Sequence, residues 1–334
     1  MKIAIDARMY GPKQGGLGRY IEQLILNLEK IDTENQYTIL LRQSNWNEYS
    51  PSNPNFQKVL ADIPWYGWKE QILLPKIIKK LKVDLVHFPH WNVPLFFNKN
   101  FIVTIHDLLL LHYPSRRAST LSPIFYWIKN KIFLAVLNHA AKQSKKIITI
   151  SEFTKKDIIQ TLKIKSEKIS VTLLSPFEIK LFSNIDLNKK YNITKPYWLY
   201  VGVAYPHKNL ETLLSAWEIF CQKYNNNFQL VLAGNKNYFY ERLEKLIKEK
   251  NIQNVILVGF VPDDELPNLY KNATLYIFPS LYEGFGLPPL EAMQYHIPVI
   301  SSNTTCLPEI LAIIKKYSWN STVSQTLSIY KNCR

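Results

Sequence analysis

The chain has 334 residues, 47% of them hydrophobic and 20% charged, and its 41 Lys and Arg against 26 Asp and Glu give a formal charge of +15. This apolar content excludes a disordered chain, while no uninterrupted apolar run is long enough to cross a bilayer. Three scattered cysteines, Cys221, Cys306 and Cys333, lack the spacing of a disulfide framework or a zinc site.

Short β-rich apolar runs alternate along the chain with longer helical patterns, the signal of parallel βαβ units. A first strand covers 2–6 and opens without a signal-peptide pattern, so the protein is expected to stay in the cytoplasm. The loop Gly15-Gly16-Leu17-Gly18 then leads into a helix over 19–29, and further strands are expected at 37–41, 85–88, 101–105 and 147–150. Residues 121–146 interleave Phe125, Tyr126, Trp127, Phe133 and Leu134 with Lys129, Lys131, Lys142, Lys145 and Lys146. Two readings of that pattern stand equal: a surface for an anionic membrane, or a core helix with a solvated lysine-rich face.

Over 183–196 Asn, Asp and Lys replace apolar periodicity, which marks a domain join. Strands follow at 198–201, 229–233, 255–258, 275–278 and 299–301, with helices over 210–224, 238–250, 264–270 and 290–294. Each half therefore reads as a doubly wound sheet of the α/β class. The expected domains are 1–185 and 186–316, with a terminal helix over 317–334 packing back on the first. Length favours this division over a single core.

Of ten glycines, nine fall at or just after expected strand ends, where backbone turns tightly or meets a ligand. Gly16 and Gly18 sit in a strand-to-helix loop that suits phosphate; a tight turn without ligand is the alternative. The spacing is not that of a dinucleotide fingerprint, and no acid closes a ribose site about 20 residues on, so an NAD enzyme is not expected. His106 and Asp107 follow the strand at 101–105. Lys208 follows the strand at 198–201 and precedes a helix, where an ammonium and helix amides both suit phosphate, although an exposed lysine at a helix start is the commoner case. The most informative string is Phe278-Pro279-Ser280-Leu281-Tyr282-Glu283-Gly284-Phe285-Gly286-Leu287-Pro288-Pro289-Leu290-Glu291. Two carboxylates flank a Gly-Phe-Gly turn at a strand's carboxyl end, where open α/β sheets bind ligands. On its own the pair reads equally as a site or as a solvated Glu283 with Glu291 in a helix's first turn.

The string E-G-F-G-L-P-P-L-E, preceded by F-P-S, resembles the signature of retaining glycosyltransferases of family four, which have the GT-B fold. The similarity continues, in the family's order, through I-A-I-D-A-R and G-G-L-G-R-Y near the start, T-I-H-D-L at 104–108, V-G-V-A-Y-P-H-K-N-L at 201–210, V-L-A-G at 231–234, V-G-F-V-P at 258–262 and L-P-E-I at 307–310. The resemblance implies two Rossmann-like domains facing across a cleft, with a nucleotide sugar against the second and the acceptor against the first. It implies that Glu291 takes the ribose hydroxyls and Glu283 the transferred sugar. Gly284, the amides of Phe285 and Gly286, and Leu287 would help hold sugar and phosphates, with Gly259 and Val261 near the base. His207 and Lys208 would face the diphosphate, while His106 orients a donor hydroxyl and Asp107 shapes the acceptor side.

The reaction so implied is hexose transfer with retention, needing no cofactor and no metal, since no Asp-x-Asp is present to hold a divalent ion. The start of the chain is similar to mannosyltransferases, which points to GDP-mannose as donor, and to a glycan or lipid-linked saccharide as acceptor in polysaccharide assembly. Peripheral contact with an anionic membrane is expected. A nucleic-acid partner is not, because no RNA or DNA motif is present and 34 of the 41 basic residues are Lys, an excess in keeping with an Asn- and Ile-rich composition. Three departures from the family stand out: His207 replaces an Arg, His296 a Gly, and about 40 to 50 residues, a strand and helix in length, are missing after Ile310. They leave open a second reading, a catalytically impaired sugar-nucleotide or glycan-binding remnant.

Overall fold

A computed structural model describes residues 1–114, 123–176, 184–224, 227–312 and 317–333. The chain divides into two compact units, one from the stretches Met1–Leu108, Leu121–Ser175 and Tyr317–Arg334, the other from Leu109–Thr120 and Pro176–Lys316, as far as each is described. Of the expected domain limits, Ser183 at the join, residues 313–316 and Arg334 lie outside the described residues.

The first unit carries seven parallel strands: β1 (Lys2–Asp6), β2 (Gln36–Leu41), β3 (Phe56–Leu60), β4 (Leu85–Phe88), β5 (Phe101–Thr104), β6 (Lys146–Thr149) and β7 (Ile169–Val171), in the order β3-β2-β1-β4-β5-β6-β7. Parallel strands are joined by crossover helices that cover both faces, so inner strands must be apolar throughout. Ile3, Ala4, Ile5, Ile102, Val103, Ile147 and Ile148 accordingly have no exposed surface. The helices are α1 (Gly15–Ile31), α2 (Trp68–Leu81), α4 (Pro123–Gln143) and α5 (Glu152–Leu162), while the single turn α3 (Leu109–His112) belongs with the second unit. Helix α1 buries Tyr20, Ile21, Leu24, Ile25 and Leu28, the one-sided spacing of a helix on a sheet. It starts four residues before the expected position, so Gly15-Gly16-Leu17-Gly18 is its first turn and not a loop.

The second unit holds β8 (Tyr197–Val201), β9 (Gln229–Ala233), β10 (Val255–Gly259), β11 (Leu275–Phe278) and β12 (Val299–Ser301), again all parallel, in the order β10-β9-β8-β11-β12. Helices α6 (Leu187–Tyr191), α7 (Leu210–Lys223), α8 (Tyr238–Glu249), α9 (Leu266–Asn272), α10 (Leu287–Gln294) and α11 (Leu307–Leu311) connect them. Leu199, Trp217, Leu230, Val231, Leu232, Tyr276 and Leu307 fill this core. Among the described residues no strand follows β12, whose Ile300 is 57% exposed at the bare edge. The two doubly wound parallel sheets are the α/β class read from the sequence.

After α11 the chain enters α12 (Trp319–Lys331), which packs on the first unit's sheet. A buried polar chain fixes it there. The Tyr330 hydroxyl lies 2.6 Å from His87 Nδ1, His87 Nε2 lies 2.8 Å from Thr104 Oγ1, and Thr104 Oγ1 lies 3.2 Å from the Tyr20 hydroxyl. One network thus joins α12, β4, β5 and α1. Its histidine has no exposed surface, and burial pushes its pKa down from 6.5 to about 3. Below about pH 6.5 the unfolded chain takes up a proton that the folded one refuses, so stability is complete above that pH and falls as pH drops toward 3. The expected loss from His87 at pH 4.5 is on the order of 2 kcal/mol. Urea unfolding midpoints measured from pH 7 to 4.5 should fall, and fall less in His87→Gln; a level wild-type profile refutes the buried neutral imidazole.

Candidate functional site

Strand order in the second sheet reverses between β8 and β11. Connections leaving these two neighbours run to opposite faces, so their carboxyl ends open a crevice, the usual ligand position in such sheets. Lys208 follows β8 and Glu283 follows β11. The crevice is closed by their ion pair, with Lys208 Nζ 2.5 Å from Glu283 Oε1 and side chains only 15% and 13% exposed. A ligand that approaches Glu283 meets a carboxylate already sharing charge with an ammonium.

Two further contacts position the pair. The Leu281 amide donates to the His207 carbonyl at 2.8 Å, joining the two loops, and Lys208 Nζ lies 5.5 Å from the centre of the Phe278 ring. Next to it, burial foremost and the Lys208 charge second push the His207 pKa down to about 4, against the pull of Glu283. At neutral pH His207 therefore adds a neutral hydrogen-bonding ring, stacked on Tyr205, and no cation.

Helix α10 starts at Leu287, three residues before the expected Leu290, with Gly286 as its N-cap. Gly286 has φ of +94°, a conformation that favours glycine, and a Cβ there would also press on the tip of the Leu307 side chain at 2.9 Å. This places Glu291 in the second turn and removes the first-turn reading. Its carboxylate instead accepts a 2.9 Å hydrogen bond from Tyr270, a buried tyrosine on α9 stacked on Tyr295. Gly284, Phe285 and Gly286 are buried and Leu287 half-buried in the same loop. Gly259 ends β10, Val261 is buried two residues on, and an open groove of about 350 Å³ runs along Gly234, Tyr240, Leu257 and Gly259.

The remaining candidates lie in the first unit. His106 Nε2 is 2.9 Å from the Pro89 carbonyl and its ring meets Tyr20 edge-on at 4.7 Å; burial takes its pKa down to about 4. Asp107 is half-buried beside it. Gly16 is exposed with open space where a Cβ would stand, but Gly18 is buried, and a Cβ would meet the Gly11 carbonyl oxygen at 2.0 Å. Gly18 is thus a packing glycine. Among the described residues no three His, Cys, Asp or Glu are grouped to hold a metal ion.

The loop after β12 grips the glutamate loop, a role not read from the sequence. Ser302 and Thr304 donate to the Ser280 carbonyl, Thr305 Oγ1 accepts from the Glu283 amide at 3.2 Å, and the buried Cys306 Sγ lies 3.2 and 3.3 Å from the Glu283 and Phe285 carbonyls. Thr305 does so at φ +56°, a left-handed conformation that costs a β-branched residue about 1–3 kcal/mol. The signal in the sequence is the run of hydroxyls in Ser302-Asn303-Thr304-Thr305 beyond a strand end. Tyr270, four residues into a helix, gave no signal.

Two family models match the chain: "Glycosyltransferase Family 4" over residues 14–172 and "Glycosyl transferases group 1" over residues 184–316. Among curated proteins, the O-antigen chain mannosyltransferase B of Escherichia coli is 27% identical over 302 residues, covering 76% of each chain. The O-antigen chain mannosyltransferase RfbU of Salmonella typhimurium is 29% identical over 260 residues, covering 78% of this chain and 67% of that one. Among solved structures, sucrose-phosphate synthase from Thermosynechococcus elongatus superposes with a TM-score of 0.69 at 21% identity, covering 100% of this chain and 90% of that one, a likeness of fold.

The grip on the glutamate loop is testable by unfolding in urea. Thr305→Val leaves the Glu283 amide without its acceptor and should cost about 1–3 kcal/mol. Cys306→Ser, which keeps a donor for both carbonyls, should cost less than Cys306→Val; equal losses exclude hydrogen bonding as the thiol's role.

Proposed function

Because the chain belongs to the family-four glycosyltransferases of GT-B fold, we propose that it moves mannose from GDP-mannose, with retention, to a saccharide of a growing O-antigen-like surface polysaccharide. The observation that carries this reading is the Lys208–Glu283 pair at the β8/β11 reversal, which joins two of the stretches that resemble the family, 201–210 and 278–291. The mannose and the polysaccharide come from the names of the two relatives.

In this reading the diphosphate lies over Lys208 and the amides at the start of α10, which meet the charge that grows on the departing oxygen. Glu283, held by Thr305 and Cys306, is oriented by its own cation to take hydroxyls of the transferred sugar. Glu291, oriented by Tyr270, takes the ribose hydroxyls, and the base lies toward Gly259 and Val261. Gly284, Phe285, Gly286 and Leu287 line the sugar and phosphates. The acceptor hydroxyl attacks from the face the diphosphate leaves, and a phosphate oxygen takes its proton. No side chain forms a glycosyl adduct and no metal or cofactor is required. The second reading, a binding remnant, is favoured by one observation: His207 is neutral where the family carries Arg, which weakens the hold on a diphosphate.

GDP-mannose at 100 times its dissociation constant should stabilise the protein by about 2.7 kcal/mol in a thermal-shift panel of nucleotide sugars. That shift should vanish in Lys208→Ala and Glu291→Ala, and NMR of the product should show an α linkage. If no nucleotide sugar shifts the wild type, the transferase reading falls; binding without transfer selects the remnant.

We infer further that α4 rests on anionic lipid. Trp127, Ile128 and Ile132 are 61%, 42% and 56% exposed, and Lys131 Nζ lies 5.5 Å over the Trp127 ring; Phe125 and Tyr126 of the same pattern lie outside the described side chains. No helix among the described residues is long and apolar enough to cross a membrane. Sedimentation with vesicles containing phosphatidylglycerol should occur at low salt and drop in Trp127→Ala and Lys131→Glu; equal pelleting with neutral vesicles refutes it.

A further inference from the structure

Strand order in the first sheet also reverses, between β1 and β4. Asp6 ends β1, and His90 and Asn92 follow β4, so these side chains meet where a doubly wound sheet opens. A cavity of about 20 Å³ lies there, lined by Asp6, Arg8, His90 and Asn92 among others, and it leads out to the surface.

Charge and hydrogen-bond accounting say what it would accept. The Arg8 guanidinium spends four of its five N–H groups on Asp6 Oδ1 (2.8 Å), Asp6 Oδ2 (2.7 Å), Glu70 Oε1 (2.5 Å) and the Ile63 carbonyl (3.1 Å). Glu70, with no exposed surface, is saturated by Arg8, by Asn92 Nδ2 at 2.8 Å to each oxygen, and by the Tyr66 amide at 2.9 Å. One cation against two carboxylates leaves an excess negative charge, which repels a phosphate. Asp6 accepts three bonds, all from Arg8, and keeps one of about four acceptor positions at a 10% exposed carboxylate. His90 Nδ1 is buried with no hydrogen-bond partner. Its ring is held uncharged by burial, with pKa down at about 3. A neutral hydroxyl, donor and acceptor at once, satisfies Asp6 and either tautomer of His90; an ammonium, with donors only, suits just the tautomer whose Nδ1 accepts, and a phosphate is repelled.

Beside the cavity stands an aromatic platform. The Trp91 ring lies 4.6 Å from His90 and 5.6 Å from Tyr66, and it is backed by Phe133 at 4.7 Å. Tyr66 is 54% exposed and held at φ +63°, a strained conformation for a bulky residue, by its amide bond to Glu70. Aromatic faces, negative at their centres, pack on the slightly positive C–H face of a pyranose.

We propose that Asp6, His90, Tyr66 and Trp91 form a pyranose subsite for the terminal residue of the acceptor saccharide. This rests on the glycosyltransferase reading above for the word acceptor, and on the first unit's own chemistry for the word pyranose. Asp6 and His90 take a hydroxyl, Tyr66 and Trp91 the sugar's apolar face, and Arg8 with Glu70 positions Asp6.

The test is saturation-transfer NMR of the full chain with α-linked mannotriose as probe, alongside the thermal shift given by GDP-mannose. Mannotriose should give a signal with wild type and with Glu283→Ala, and half-saturate at about tenfold higher concentration in His90→Ala and in Tyr66→Ala, the loss of one good hydrogen bond or stacking face. Both of these variants should keep the wild-type GDP-mannose shift, which also shows them folded. No wild-type signal, or an undiminished signal in both variants, overturns the subsite. Loss of the GDP-mannose shift in the variants overturns it too, by assigning the site to the donor. A mannotriose signal that behaves as expected in a wild type unmoved by any nucleotide sugar supports the subsite and sinks the transferase reading alone.

Discussion

The pair Lys208 and Glu283 depends on one constraint, the parallel order of the second sheet. Because β8 and β11 are neighbours whose connections leave on opposite faces, the loops after them begin side by side and diverge. A charge on either loop alone, half-buried in a crevice, would be costly; opposite charges on the two loops offset that cost by binding each other. The remaining contacts serve this contact: the Leu281 amide on the His207 carbonyl sets the separation, Gly286 lets the chain turn into α10, and Thr305 and Cys306 hold the glutamate loop from the side of β12.

The first sheet solves the same topological problem differently. At the β1/β4 reversal it buries three charged groups, and burial pushes the Glu70 carboxyl up against the pull of Arg8. Removing one member of such a group typically costs 3–5 kcal/mol, because the others are left buried and unpaired. So large a commitment of polar groups away from any loop tip argues that their geometry, more than their stability, is what the fold maintains. Strained backbone at Tyr66 on one sheet and at Thr305 on the other falls beside these two reversals.

Much of this was legible in the sequence, for a physical reason. Strands buried on both faces must be apolar runs, so β4, β9 and β11, and β1 beyond its first residue, are legible with their limits, and a Gly-rich turn after such a run marks the carboxyl end where ligands bind. What escaped had weaker patterns. β3 lies at the sheet's outer edge and exposes two of its five residues, while β7 has only three. The N-terminal turns of α1 and α10 were read as loop because glycine and proline are poor helix formers in an interior, though both are tolerated at a start. The partners that orient the carboxylates, Tyr270, Thr305 and Cys306, act across separate elements, and no local period announces them. His87 gave no sign that it needed a tyrosine from the far end of the chain.

That last dependence bears on how the protein is made. His87 and Tyr330 are 243 positions apart, and the second unit's long stretch, Pro176–Lys316, lies between β7 and α12 in chain order. Chains emerge from the ribosome N-terminus first, at roughly 5–20 residues per second. The first sheet therefore waits through synthesis of that stretch before the helix that completes its polar interior is delivered, and a ribosome that stalls or a message cut short beyond residue 312 yields a second unit joined to an incomplete first one.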